Sequence, residues 1–313
     1  MGRATAIIAA FALAGAAPAF AAPNAPDPTP SAGEAGDPDV VVTGERLTGE
    51  KLHKEASEFV KRIGVASGRR PAARWVEPVC PAAYGIVDAH AAVVVAKLRQ
   101  IAAEANIPTA REGCKANFAV IFAADGKVSA KDMSKRQPAR FEEVGPAARE
   151  RLFEGDAPIR WWYSTLEQGK DGHQAGSEAP IGVAVCGGVG SPIGGSGRSR
   201  FLSRYNSGIV SSEVIRGLRS ATVVIDVNRV GEQMLDTLIA YAALVGLAEI
   251  SPQDPPPNRS ILSLFTPDPG PNRDLTEWDM SFLKALYRMP LDRDARMQRG
   301  LLTQELVKRR KGG

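Results

Sequence analysis

The chain has 313 residues, 44% of them hydrophobic, and a formal charge of +4. That supplies apolar material for one large domain or two small ones. The charge is mild and scattered apart from the terminal run Lys308-Arg309-Arg310-Lys311. No basic face interleaved with aromatics appears, which argues against a nucleic-acid partner.

The N-terminus carries an address. Arg3 precedes the apolar run "ATAIIAAFALAGAA", and Ala19-Phe20-Ala21 follows as a small-x-small cleavage signal. Residues 1–21 therefore read as a cleavable signal peptide, and the mature chain is expected to be periplasmic or extracellular. The apolar run is too short to span a bilayer as a helix. The next apolar stretch, "AAVVVAKLRQIAA", is broken by Lys97 and Arg99, so no membrane span is expected in the mature chain. The first cysteine is Cys80, so no lipid-anchor cysteine follows the cleavage region.

Residues 22–48 are rich in Pro, Ala, Gly and Asp and read as a disordered linker. Within them, Asp39-Val40-Val41-Val42-Thr43-Gly44 resembles the segment near the mature N-terminus of TonB-dependent outer-membrane receptors. The resemblance implies strand addition: an extended apolar strand on a loose leader pairs with an exposed sheet edge of another envelope protein. The alternative is an edge strand of the chain's own sheet.

A single α+β domain is expected over 49–313, with a mixed sheet flanked by helices. Residues 50–65 suggest a short charged helix. From 86 to 105, Val87, Ala91, Val94, Leu98, Ile101 and Ala105 recur at helical spacing. "NFAVIFAAD", 117–125, reads as a strand covered on both faces and closed by the turn Asp125-Gly126. Ser129 with Asp132 has the spacing of a capping box for a helix at 130–136, and a second helix is expected at 139–153. "IRWWYST" and "IGVAVCGGV" read as strands, the latter running into the glycine-rich "GGVGSPIGGSGRSR". That run matches neither a phosphate-binding loop nor a dinucleotide fingerprint, and the nucleophile-elbow pattern is absent. It reads as a surface loop.

"IVSSEVIRGL" fits a short helix or an edge strand, and "ATVVIDV", 221–227, a strand. Asn228 is placed to cap a helix at 229–248 with Val230, Met234, Leu238, Tyr241, Val245 and Ala248 as its apolar stripe. "SPQDPPPN" ends it. Thr276 and Asp279 form a capping box for a helix stopped by Pro290, and an amphipathic helix closes the chain at 294–310.

Of the three cysteines, Cys80 and Cys114 flank the 86–105 helix, and in an oxidising compartment they are the expected pair. Three buried thiols are the alternative. Cys186 reads as a small core residue.

Between Ala221 and Tyr287 the chain resembles the C-terminal half of a family of secreted bacterial proteins with a zincin-like metallopeptidase fold. The residues that carry this are Gly246-Leu247, Ser260-Ile261-Leu262-Ser263-Leu264-Phe265, and Leu275-Thr276-Glu277-Trp278-Asp279 leading to Leu283-Lys284-Ala285-Leu286-Tyr287. The resemblance implies a zincin-like active-helix topology over about 207–305, with a His-Glu-x-x-His type signature ending at Gly-Leu. Here the ligand and general-base positions hold Ile239, Ala240 and Ala243. Isoleucine and alanine neither bind zinc nor take a proton from water. The histidines are His53, His90 and His173, with none four apart. A typical zinc peptidase site is thus excluded, and neither a metal nor a cofactor is expected.

Two functions follow as expectations. The first is a non-catalytic exported binding or scaffold protein on a degenerate metallopeptidase-like fold. The alternative is a hydrolase with an atypical carboxylate site, in which Glu232 and Asp236, one helical turn apart, hold a cation or do acid-base work. The plainer reading of that pair is two acids favouring a helix dipole.

Overall fold

The computed structural model describes residues 49–169 and 214–311. The expected signal peptide, the expected linker with Val40–Thr43, the strand expected around Cys186, the glycine-rich run and His173 lie outside the described residues.

The longest strand, β5 (Val214–Asp226), is the axis of the sheet. It joins two stretches that the sequence separates, "VIRGL" and "ATVVID". On one side it pairs antiparallel with β4 (Ile159–Gly169) along the full length of that strand. On the other side two parallel strands share it: β1 (Arg74–Trp75) lies beside its first half and β3 (Phe118–Ala123) beside its second. Strand β2 (Pro81–Tyr84) is parallel to β3 on the outside. The two shortest strands, β1 and β2, were not expected from sequence, because two and four residues are too few to show a period.

Helices cover both faces. Strand β2, helix α2 (Asp88–Glu104) and β3 form a parallel crossover unit, so the class is α/β, in place of the expected α+β, with β4 as the antiparallel element. Gly85, at φ +80°, makes the turn out of β2; a Cβ there would lie 2.0 Å from the Phe122 carbonyl oxygen. Val94, Leu98 and Ile101 of α2 face the core as expected, while Val87 precedes the helix as its N-cap and is 63% exposed. The larger core gathers α1 (Gly49–Ile63), α2, α5 (Leu235–Leu247), α6 (Glu277–Arg288) and α7 (Ala295–Lys311) around Phe118, Val120 and Val223. A smaller one lies on the opposite face, where Ala130 of α3 (Gly126–Arg136) and Leu152 of α4 (Pro146–Phe153) meet Phe141, Trp162 and Val224.

Three helix boundaries differ from the sequence reading, each for a local reason. Helix α3 opens at Gly126 and not near residue 130. Its cap is Asp125, which accepts from the Val128 amide at 2.9 Å, and Asp226 accepts the Gly126 amide at 2.9 Å. The Ser129–Asp132 spacing plays no capping part. The helix expected at 139–153 is two pieces, a 3-10 turn Pro138–Phe141 and α4, which starts at Pro146. Proline supplies no amide to a preceding turn and is suited to a first helical position.

The third boundary bears on function. Helix α5 starts at Leu235, not 229. The Asp226 carbonyl accepts from the amides of Arg229 and Val230 in a tight turn, and Gly231 takes φ +64°. Asn228 does not cap the helix; its side-chain amide donates to the Ala124 carbonyl at 2.7 Å. From Thr237 to Leu247 every residue of α5 is buried, so the single apolar stripe is in fact an apolar cylinder. Its last carbonyls, which a helix leaves without partners, are met by aromatic donors from three other elements. Tyr163 donates to Val245, Trp75 to Gly246 and Tyr287 to Leu247, at 2.6, 2.9 and 2.7 Å. The helix therefore ends at Gly246-Leu247 inside a ring of hydrogen bonds. Gly246 itself lies on Phe118, where a Cβ would come within 2.0 Å of the ring.

Candidate functional site: a groove along the free edge of β4

The positions singled out by the zincin resemblance are sealed. Ile239, Ala240 and Ala243 have no solvent exposure. At 100° per residue, Ile239 and Ala243 share the side of α5 that carries Gly246 against β3, and Tyr241 lies nearly opposite. The helix thus turns Ile239 and Ala243 to the sheet, and Ala240 is sealed within the fold. Glu232 stands in the loop before α5 and Asp236 in the helix's first turn, so the expected one-turn spacing does not exist. Both are exposed. Among the described residues no three His, Cys, Asp or Glu side chains are placed to hold a metal ion. His53 and His90 are exposed. Cys80 and Cys114 form a disulfide, with their Cα atoms 6.1 Å apart.

A concavity among the described residues lies elsewhere. A groove of about 420 Å³ runs along β4 from Ala157 to Tyr163 and wraps both faces of that strand. Odd-numbered side chains of β4, Ile159, Trp161 and Tyr163, point to the α5 face with Ala221, Val223 and Ile225 of β5. On that side the wall is Tyr241, Leu262 and the segment 249–256. Trp161 packs edge-on against Tyr241, with ring centroids 6.1 Å apart, and its indole donates to the Ile250 carbonyl. On the other face Trp162 stacks on Phe141 at 4.6 Å, and Val144, Ala148 and Leu152 form the wall. The Trp162 indole nitrogen is buried without a hydrogen-bond partner.

Residues of β4 form the floor of the groove. The Asp226 amide donates to the Pro158 carbonyl, which makes 158–226 a hydrogen-bonded pair of the antiparallel ladder. The ladder alternates, so Arg160, Trp162 and Ser164 turn their amide and carbonyl groups to β5. Ile159, Trp161 and Tyr163 turn theirs to the free side. Among the described residues β4 has no second strand neighbour and these outward groups have no partner. At Thr165 the edge is closed: the Glu143 carboxylate accepts from its amide and its hydroxyl, both at 2.6 Å.

Charges ring the groove without filling it. Three arginines, 70, 151 and 160, and three carboxylates, Glu143, Glu249 and Asp254, contribute to its lining. Arg216, itself buried, holds Glu249 in a bidentate pair at 2.8 and 3.0 Å, and Arg70 bonds Glu143 at 2.5 Å. Burial opposes ionisation of Glu143, but the bonds from Thr165 and the Arg70 and Arg216 guanidinium groups outweigh it and hold its carboxyl below the usual range. The Arg160 guanidinium turns inward to the carbonyls of Leu152 and Gly155 and lies 3.8 Å from Asp226. The phenols of Tyr163 and Tyr241 are pushed well above their ordinary range, chiefly by burial. At neutral pH these two phenols are therefore neutral, and the two glutamates are committed to arginines. The lining thus combines aromatic surface with charged groups that are largely paired to one another, and the Tyr163 hydroxyl is held by the Val245 carbonyl and the Ile250 amide.

Sequence reading placed Trp161, Trp162 and Tyr163 on a strand but gave them no role. The available signal was the consecutive triplet: three aromatics in a row on a strand put large rings on both faces, which an ordinary half-buried strand does not need. The walls come from residues 143–152 and 249–262, which no sequence pattern links to β4. No family profile, curated protein or solved structure matches this chain.

Proposed function

We propose that this is an exported, non-catalytic binding protein and that the β4 groove is where it takes an apolar ligand. The observation that carries this reading is the groove itself: aromatic rings on both faces of one strand, around a cavity in the size range of ligand sites. Its two glutamates are tied to arginines, which leaves them poorly placed for proton transfer. Export is part of the proposal and is supported by the signal-like N-terminus and by the Cys80–Cys114 disulfide, a bond that persists in oxidising compartments. In this reading the scaffold is a metallopeptidase-like one whose active helix has become a core element, with hydrocarbon at Ile239, Ala240 and Ala243. Among the described residues no helix is long and apolar enough to cross a membrane.

An apolar fluorescent dye tests the site. Titrated into the protein, it should gain emission saturably. Ala148→Trp, which adds an indole to the groove wall, should cut that gain at least fivefold while circular dichroism and melting temperature stay close to wild type. Dye binding that the folded variant leaves unchanged would refute the groove as the binding site.

A further inference from the structure

We infer that the ligand is an extended polypeptide, about five residues long and apolar at consecutive positions, which adds to β4 as a further strand. The inference rests on the binding reading above and names its ligand class.

Three observations converge on it. The first is main-chain complementarity. Ile159, Trp161 and Tyr163 present amide and carbonyl groups along the floor, at the two-residue repeat that a neighbouring strand would match. A lipid tail or a flat aromatic molecule would leave those groups facing hydrocarbon, which is costly for buried polar groups. An added strand bonds all of them.

The second is length. The stretch whose main-chain groups turn away from β5 runs from Ile159, itself only 2% exposed, to Tyr163, about 17 Å at a strand's rise per residue. At its far end the Glu143 carboxylate occupies the place of a neighbouring strand's carbonyl on Thr165. Any added strand stops there.

The third is the walls. Successive side chains of a strand point to opposite faces. One face of the groove offers Tyr241, Ile250 and Leu262, and the other offers Val144, Ala148 and Leu152. Both walls present apolar side chains toward β4, with Ser251, Gln253 and the charged residues among the other lining groups. A ligand that alternates apolar and polar residues would bury its polar ones against one wall, so the groove favours consecutive apolar residues. The lining carries equal numbers of cationic and anionic groups, so nothing selects a charged chain. The walls also favour a bare segment over the edge of a second folded copy, whose own flanking helices would have to pass them.

The test uses the full mature chain and fluorescein-labelled peptides followed by anisotropy. The probes are Thr-Val-Ile-Val-Thr with blocked ends, an alternating Thr-Val-Ser-Val-Thr peptide, and the first peptide N-methylated at one residue at a time. The first peptide should bind at least tenfold more tightly than the alternating one. N-methylation should weaken binding at least tenfold at every second residue and less than twofold between, because only alternate amides face β4. Ala148→Trp should abolish binding. Equal affinity for the two sequences overturns the two-walled selectivity. A flat N-methyl profile overturns strand addition while leaving an apolar-ligand site in place. Saturable dye binding without any peptide binding overturns the ligand class alone, and absence of both removes the binding reading as well. Concentration-dependent dimerisation abolished by Ala148→Trp would assign the groove to a second copy and overturn the proposal.

Discussion

Asp279 shows how one side chain can carry a local architecture. It is fully buried and accepts from the Ser260 hydroxyl at 2.5 Å, the Ile261 amide at 2.9 Å and the Thr276 amide at 3.1 Å. It thereby ties the 3-10 turn Ile261–Phe265 to the start of α6. Burial raises its carboxyl from 3.8 to about 6, against the pull of those hydrogen bonds. A raised folded value means that the fold holds a proton which the unfolded chain releases between about pH 4 and 6. The associated stability is complete below pH 4 and lost as pH rises through 6. A shift of this size corresponds to about 3 kcal/mol. Urea unfolding of wild type and Asp279→Asn across pH 4–7 should show wild type losing up to about that amount relative to the variant. The asparagine cannot titrate, and its amide can donate to Ser260. Parallel pH profiles would contradict this account.

At the scale of elements, α5 has no amphipathic pattern and no side-chain cap at Met234. An isolated helix of 13 residues is marginal in water, so its stability is tertiary. It comes from burial on all sides and from the three aromatic donors on its last carbonyls. Tyr163→Phe should show the second contribution directly. The substitution keeps the ring but leaves the Val245 carbonyl and the Ile250 amide without the Tyr163 hydroxyl. A loss of about 1–3 kcal/mol is expected, read from chemical denaturation. Amide hydrogen exchange should rise at Ile250, whose amide loses its acceptor. Strand β4 is the converse case. It is well formed because β5 completes one of its edges, and its other edge carries the binding proposal.

For the molecule as a whole, the Cys80–Cys114 disulfide closes a loop of sequence separation 34 around α2. Cys80 immediately precedes β2 and Cys114 precedes β3, so the bond ties together the N-terminal ends of the two parallel strands of the crossover unit. Closing a loop of that size restricts the unfolded chain by about 3–4 kcal/mol. The Cys80→Ala, Cys114→Ala double variant should therefore melt roughly 10 °C lower, in a calorimetric scan, with unchanged secondary structure by circular dichroism. An unchanged melting temperature would mean that α2 and the larger core hold this unit without help.

Features that depend on near neighbours along the chain are legible in the residues alone. The helical spacing of Val94, Leu98 and Ile101, the apolar run of β3, the Thr276–Asp279 capping box and the proline stops at 252–257 and 290 are local signals, and each element is present. So is the Cys80–Cys114 pair, whose partners flank one helix. The lack of zinc ligands at 239, 240 and 243 is likewise a matter of residue type. Tertiary structure alone decided where those positions face, because an apolar cylinder looks the same from every side in sequence. It also decided that Glu232 and Asp236 do not share a helix, since the turn at Asp226 depends on a strand end. Above all it decided the groove. Its walls are drawn from residues 143–152 and 249–262 and its floor from an edge of β4. Whether a strand's outer edge is open is set by what packs beside it, and no residue of the strand records that.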